Sequence, residues 1–309
     1  MSSKEVCMAD RKTDRPDGGK LAEMAASGYS FSQLAAKFNI TTGTVAGAIR
    51  HYKQSNPDNK LFEVNFGKPL SLVGNAIIAG DIHVPTTNYE FAKRIIAVAK
   101  YYGIKILILA GDIYNFDLFS KYPRQTVMTS WAQERDAGRH LFQMFQEYFD
   151  EIYVIMGNHD RRMIKWADGH LDETDVFGLI TTSPKVHVSN FGYCSIKSGG
   201  ENWLITHSSE YSVNQLTVAD QLAQKYKSNV ITHHEHHVAK GRDRYKSFTI
   251  INNGGLFAQE KMVYTQLDTS KKPNMANGFT ALVNGCGHLY TPYPSFTDWT
   301  HIDQFKYDS

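Results

Sequence analysis

Five apolar runs of the sequence end in side chains that can bind metal ions. They are Asp81 and His83 after NAIIAG, Asp112 after IKILILAG, Asn158, His159 and Asp160 after EIYVIMG, His207 after NWLIT, and the run HHEHH (233–237) after NVIT. Carboxylates, an amide and several imidazoles favour Mn²⁺, Fe or Zn²⁺ over Mg²⁺ or Ca²⁺, which prefer oxygen ligands. The set is too large for one metal ion with an open coordination position and large enough for two.

The elements around these residues have to bring them together. Short β-branched runs alternate with amphipathic stretches near 88–102, 131–149 and 213–227, and strands without long helices follow after about residue 245 (SFTIINN, KMVYTQL, GFTALVN). This alternation predicts a layered α/β domain. In open α/β sheets, ligands bind just beyond the carboxyl ends of the strands, so the five ends are expected to converge. In D-x-H and H-x-H pairs on an extended chain, both outer side chains point to the same side.

Taken in order, GDIHVP, GDIYN, GNHD, the isolated His207 and H-E-H at 234–236 resemble the motifs of the calcineurin-like metallophosphoesterase superfamily. The resemblance covers about residues 72–240. It implies a domain over 72–309, folded as a β-sandwich flanked by helices, that hydrolyses phosphoesters.

The resemblance also implies roles for individual residues. One metal ion would be held by Asp81, His83 and His236, and a second by Asn158, His207 and His234, with Asp112 bridging the two. His159 would assist the leaving group, with Asp160 beside it. Arg161 and Arg162 directly follow this motif and are candidates for binding phosphate, with surface ion pairs as the alternative.

Two positions depart from the family's pattern. Asn115 stands in GDIYN where the family often has an aspartate, and His233 stands where a glycine usually precedes the last motif. Residues 234 and 236 are chosen as ligands because they form the only H-x-H pair in that run.

Residues 17–54 are predicted to be helical and to form a separate small domain. Ser30 and Gln33 have the spacing of a capping box, and Asn39 can adopt the left-handed conformation of a turn. A small residue at Ala35 and an apolar one at Val45 complete a pattern that resembles the helix-turn-helix of DNA-binding proteins.

The charge of this small domain favours nucleic acid as a partner. No Asp or Glu lies between Gly28 and Gln54, whereas Lys37, Arg50 and Lys53 are positive, and Thr42, Thr44 and Arg50 are placed to face the major groove. The alternative is a helical bundle used for self-association. Residues 1–16 are expected to be a flexible terminus and 55–71 a linker.

Length, composition and net charge limit the number of domains and the class of protein. The chain has 309 residues, 42% of them apolar, with a net charge of +2, which excludes global disorder and suggests two domains, or one large domain with an appendage. Three separated cysteines without a C-x-x-C pair argue against a disulfide framework and fit a reducing compartment. The polar start and strand-length apolar runs predict a cytoplasmic protein with no membrane partner. The family resemblance implies a bacterial or phage type, in the host cytoplasm if phage-encoded.

These features together predict a nuclease that hydrolyses DNA phosphodiester bonds with two divalent ions, of which Mn²⁺ is the first choice and Fe or Zn²⁺ the alternatives. A tethered DNA-binding module would raise the local concentration of DNA at the metal site. One alternative is a phosphatase or cyclic-nucleotide phosphodiesterase acting on a small molecule. Another is a DNA-binding regulator with a non-catalytic metal domain. The Tyr and Phe cluster in 289–305 is expected to lie in the core, although an exposed part can stack on bases.

Overall fold

The computed structural model describes residues 16–26, 29–56, 67–121, 129–168, 170–261 and 275–305. The expected terminus up to residue 15, most of the expected linker (57–66) and most of KMVYTQL lie outside the described residues. Contacts between Cα atoms divide the chain into two compact units. The smaller unit comprises the described residues up to Gly67 with Asp168 and His170, and the larger one comprises the rest.

Helices and strands alternate through most of the larger unit, as the sequence predicts. In chain order the helices are α1 (Gly18–Ala26), α2 (Phe31–Phe38), α3 (Thr42–Ser55), α4 (Tyr89–Tyr102), α5 (Trp131–Gln146), α6 (Arg161–Trp166), α7 (Glu173–Gly178) and α8 (Thr217–Tyr226). The strands are β1 (Ser71–Val73), β2 (Ala76–Ala79), β3 (Ile106–Ala110), β4 (Glu151–Ile155), β5 (Val186–Val188), β6 (Tyr193–Ser198), β7 (Glu201–His207), β8 (Asn229–His233), β9 (Val238–Arg242), β10 (Thr249–Asn253), β11 (Phe279–Val283) and β12 (Cys286–Tyr290).

The smaller unit is a three-helix arrangement with its own apolar core. Ser30 caps α2 in a capping box with Gln33, and Asn39 ends the helix at φ 51°, in the predicted left-handed conformation. Leu34 and Val45 are completely buried in the cluster that joins the three helices. The predicted helix, turn and second helix are therefore all present.

The larger unit is built on two six-stranded sheets, in the orders β1-β6-β7-β8-β10-β9 and β12-β11-β2-β3-β4-β5. Side chains alternate across each strand, so Ile78 of β2 lies between the sheets, in one cluster with Ile205 and Ile231. Its neighbour Ile77 faces the other way, into the cluster that contains buried residues of α4 and α5. On the outer face of the first sheet, Ala219 of α8 packs in a further cluster. The predicted sandwich flanked by helices is confirmed.

Strand direction brings the candidate site residues to one edge. β2, β3 and β4 are parallel neighbours, as are β7 and β8. Because these parallel strands end on the same side, the polar residues that follow them lie along one edge of the sandwich. Within the described residues, no helix has both the length and the apolar character needed to span a membrane.

Candidate metal centre

A first group of candidate ligands converges at the ends of β2 and β8. The Nε2 atom of His236 lies 3.1 Å from Oδ1 of Asp81 and 3.1 Å from Nε2 of His83, and His83 Nε2 lies 3.9 Å from the same Asp81 oxygen. Metal ions bind N and O ligands at about 2.0–2.2 Å, so atoms that share one ion lie roughly 3–4 Å apart. The three atoms have this spacing.

A second group lies at the ends of β3, β4 and β7. Nε2 of His207 is 3.3 Å from Oδ2 of Asp112 and 3.2 Å from Oδ1 of Asn158. Ligand atoms of Asp112, His207 and His234 lie within 4.8 Å of one another, as do those of His83, Asp112 and His159. Asp112 therefore belongs to one group with His83, a ligand of the first site, and to another with His207 and His234. This is the position expected of a bridging carboxylate.

Hydrogen bonds behind the histidines turn one ring nitrogen toward each group. His83 donates from Nδ1 to Oδ1 of Asn115 (2.9 Å), and His207 donates from Nδ1 to the carbonyl oxygen of Ala110 (3.0 Å). Because each Nδ1 donates to the protein, each Nε2 is the nitrogen turned toward the site and becomes a metal ligand when it is unprotonated, as outer partners of metal-ligating histidines arrange. Asn115 thus orients His83 through its side-chain oxygen.

Unusual backbone conformations accompany these positions. Five of the seven candidate ligands have a positive φ: Asp81 (47°), His83 (53°), Asp112 (49°), His234 (90°) and His236 (58°). Such residues are uncommon outside glycine, and each costs on the order of 1–3 kcal/mol that the surrounding structure has to offset. Strained residues of this kind cluster at functional sites.

The family model for calcineurin-like phosphoesterases matches residues 75–260, which span all of these positions. The chain belongs to the calcineurin-like phosphoesterase family. It is accordingly a metal-dependent phosphoesterase, a hydrolase of a family that uses divalent metal ions.

Similar solved structures are distant. Vacuolar protein sorting 29 from Cryptosporidium parvum is 12% identical, with 70% of this chain and 95% of that chain covered at a TM-score of 0.37. Wild-type Vps29 complexed with Zn²⁺ from Entamoeba histolytica is 12% identical (70% and 97% covered, TM-score 0.35), and a predicted phosphoesterase from Streptococcus pneumoniae is 11% identical (70% and 97%, TM-score 0.30). No curated protein matches this chain. The family assignment therefore depends on the match over residues 75–260.

The electrostatics of this phosphoesterase site suit cations. Burial raises the pKa of Asp112, but His207 and His159 outweigh burial and lower that pKa. Burial also raises the pKa of Asp81, which His236 and His207 together bring well below its usual range. Burial alone would lower the pKa of His207, yet the nearby carboxylates of Asp112 and Asp81 raise it to about 10. Two buried carboxylates thus stay ionised, and a proton on His207 neutralises part of their charge.

The donor set fits a pair of divalent ions. Carboxylate oxygens, an amide oxygen and imidazole nitrogens form the mixture that suits Mn²⁺, Fe or Zn²⁺. Asp81, His83 and His236 would hold one ion, Asn158, His207 and His234 the other, and Asp112 both.

His159 faces the same site. It donates from Nδ1 to the backbone oxygen of Asn115 (3.1 Å), and its Nε2 lies 3.8 Å from Oδ2 of Asp112. Arg162 is next to this ring, with Nη2 3.1 Å from Nε2 of His159 and Nη1 donating to the Asn115 carbonyl and to Asp117. Arg162 therefore contacts the predicted catalytic histidine, while its role toward phosphate stays a prediction.

The contacts of Asp160 and Arg161 show where two further predicted site residues lie. Asp160 is completely buried, and its carboxylate accepts backbone N–H groups from Ile113 (3.0 Å), Tyr114 (3.2 Å) and Gly157 (2.9 Å). It ties the loop after β3 to the loop after β4, and any part it has in catalysis stays a prediction. Arg161 pairs with Glu173 at 3.1 Å, the alternative given for it, and its role toward phosphate stays a prediction.

His233 has an orienting function that the sequence analysis missed. Its Nδ1 lies 3.2 Å from Oδ2 of Asp81, and its Nε2 accepts from the Asn253 amide at 3.1 Å. A Cβ on Gly80 would lie 2.7 Å from Nδ1 of His233, so Gly80 leaves the space that the imidazole fills. The departure from glycine at position 233 was the available signal.

The predicted nucleic-acid residues lie on the smaller unit. Lys37, Thr42, Thr44 and Arg50 are exposed. The Thr44 hydroxyl lies 2.9 Å from that of Thr41, which caps α3. Lys53 is on α3, but its side chain lies outside the described residues.

Proposed function

We propose that this phosphoesterase is a nuclease that hydrolyses phosphodiester bonds of DNA, with Mn²⁺ as its preferred ion. The observation that carries the proposal is that one chain combines a site suited to two divalent ions with a helix-turn-helix that has no Asp or Glu between Gly28 and Gln54. Backbone phosphates supply most of the affinity of DNA for proteins, so a surface without carboxylates favours this partner.

The surface of α3 supports the choice of DNA. Val45 and Ile49 are buried against the other helices, whereas Gly43, Gly47 and Arg50 are exposed. A Cβ on Gly47 would contact nothing within 4 Å, so this part of the helix presents bare backbone to a partner. A recognition helix is inserted into the major groove in this class of motif. A helix face with small residues and an arginine is compatible with insertion into the major groove.

The larger unit supports hydrolysis through its own side chains. When bound, two divalent ions supply Lewis acidity and activate water. His159 carries the chain's contribution to proton transfer: its Nδ1–H is held by the Asn115 carbonyl, so the imidazolium form has its second proton on Nε2 and can give that proton to the leaving oxygen. General acid catalysis of this kind contributes roughly 10²–10⁴-fold.

The test is cleavage of labelled single- and double-stranded DNA by the purified full chain with Mn²⁺. The comparisons are an excess of EDTA, His159→Ala, and His140→Ala as a matched control, since His140 is an exposed histidine of α5. We expect cleavage by the wild type and by His140→Ala, and loss of cleavage with EDTA and with His159→Ala.

Absence of DNA cleavage, with an aryl phosphodiester still hydrolysed, would contradict the nuclease proposal. That outcome would favour a phosphodiesterase or phosphatase for a small molecule. Absence of both activities, with duplex DNA still bound, would favour the regulator.

A further inference from the structure

A cavity of about 750 Å³ lies at the side of the sandwich, and none of the seven candidate metal ligands lines it. Residues 238–240 of edge strand β9 form one wall, residues 288–290 of edge strand β12 form another, and the segment 291–302 closes it. This volume lies in the range of about 300–1,000 Å³ typical of pockets for small organic ligands. The metal centre alone does not account for the presence of this cavity.

The cavity is lined by aromatic rings that remain open to solvent. Phe296 is 79% exposed and Tyr293 is 41% exposed, although both lie at the cavity. The two residues are joined by a turn in which the Phe296 N–H donates to the Tyr293 carbonyl at 3.0 Å. Grouped exposed apolar side chains mark interaction sites, and flat rings suit a flat ligand that stacks on them.

The outer wall is held firmly enough to serve as a preformed site. Trp299 is buried, donates from Nε1 to the Thr291 carbonyl at 3.1 Å, and lies under the Arg94 guanidinium at 4.2 Å. Thr291 also donates its N–H to the Thr297 hydroxyl at 2.9 Å. The segment that carries Tyr293 is therefore anchored on both sides of the turn.

Two residues of the cavity wall lie next to the metal centre. Ala276 and Val238 line it, Ala276 donates its N–H to the His236 carbonyl at 2.9 Å, and Val238 is two residues beyond His236. Because two residues span at most about 7 Å, the wall begins within that distance of the candidate ligand. Stacked nucleotides repeat every 3.4 Å or so along a strand, so this is a distance of about two nucleotides.

Lys240 adds a positive charge to the strand that leads from His236. Its ammonium donates to the Gly287 carbonyl at 2.7 Å, and the residue is exposed at the cavity. A cation beside stacking rings fits a ligand that combines an aromatic ring with a phosphate.

We propose that this cavity binds an unpaired nucleobase of the strand whose phosphodiester lies at the metal centre. The inference rests on the proposed nuclease function and deepens it, because it makes a single-stranded or locally unpaired substrate the preferred one. Phe296 and Tyr293 supply the stacking surface.

Binding is tested with the full chain in EDTA, so that no cleavage occurs. The probe is a single-stranded DNA 12-mer with one 2-aminopurine, whose fluorescence falls when the base stacks, and a duplex of the same sequence is the comparison. Loss of one stacking ring weakens binding by about 5- to 150-fold. We expect Phe296→Ala to weaken binding of the single strand by this factor. Phe296→Trp, which restores a ring, should recover the binding.

Tyr245→Ala is the matched control, since Tyr245 is 70% exposed and does not line the cavity. Equal single-strand binding by Phe296→Ala and the wild type would overturn the proposal, as would equal losses in Phe296→Ala and Tyr245→Ala. A wild type that binds a peptide but no single strand would show instead that the cavity is a protein-docking site. Base stacking at the cavity without DNA cleavage under Mn²⁺ would sink the nuclease proposal alone, so the two failures are distinguishable.

Discussion

The buried carboxylate of Glu134 gives a stability prediction whose sign and size follow from the structure. Glu134 is only 2% exposed, and its Oε1 accepts the Phe116 N–H at 2.6 Å. Burial raises its pKa from 4.5 to about 7. We predict that Glu134→Gln, which keeps the acceptor oxygen and removes the charge, gains stability relative to the wild type as the pH rises.

The magnitude comes from linkage between proton binding and folding. A carboxyl whose pKa is raised on folding stabilises the folded state fully below its unfolded pKa of 4.5, and this contribution is lost as the pH rises through about 7. One pKa unit corresponds to about 1.4 kcal/mol, so the wild type loses at most about 3 kcal/mol between pH 4.5 and pH 8 through Glu134. The glutamine variant lacks this loss.

The measurement is urea unfolding of both proteins in EDTA at pH 5, 6.5 and 8. Burial also raises the pKa of Asp160 to about 7, but Asp160 is present in both proteins and its effect cancels in the difference. Glu90→Gln is the control, because that carboxylate is 87% exposed on α4. A difference between Glu134→Gln and the wild type that stays constant from pH 5 to pH 8 would refute the reasoning.

Three further predictions concern metal and DNA. Asp112→Ala should lower the metal content, measured by elemental analysis, from two ions per chain to one or none, and an unchanged ratio would remove Asp112 from the bridging position. Binding of Mn²⁺ at pH 8 should release about one proton, because the pKa of His207 is about 10 without metal and a ligand histidine must be neutral. Calorimetry in two buffers of different ionisation enthalpy measures this release, and heats that do not depend on the buffer would contradict it. Arg50→Ala should weaken duplex binding and flatten the slope of log K against log salt by about 0.9, with aryl phosphodiester turnover as the control, and an unchanged slope would show that Arg50 contacts no phosphate.

The sequence was most informative where residue type and strand order acted together. Asp81 and His207 are far apart in the chain, yet each follows a strand whose direction places its end at the same edge. The pattern of parallel strands thus predicted which residues meet. It also predicted the turn at Asn39, because few residues other than glycine adopt that conformation readily.

The sequence could not show which contacts are made by the side chains of neighbouring residues. Asp160 follows His159 directly, but its carboxylate is turned into the protein, where three backbone N–H groups need an acceptor. The contribution of Glu134 was not predicted because Phe116 lies 18 residues away, and no local pattern links them. Which buried acceptor serves which donor is decided by packing of the whole domain.

Asn115 limits how this site can vary over evolution. Its side-chain oxygen serves the candidate ligand His83, and its backbone oxygen serves both His159 and Arg162. A substitution that moves this residue changes cation affinity and proton transfer together, so neither property can drift alone. Mutations that alter substrate preference without loss of turnover should therefore accumulate on other surfaces, and residues 113–117 should tolerate few replacements.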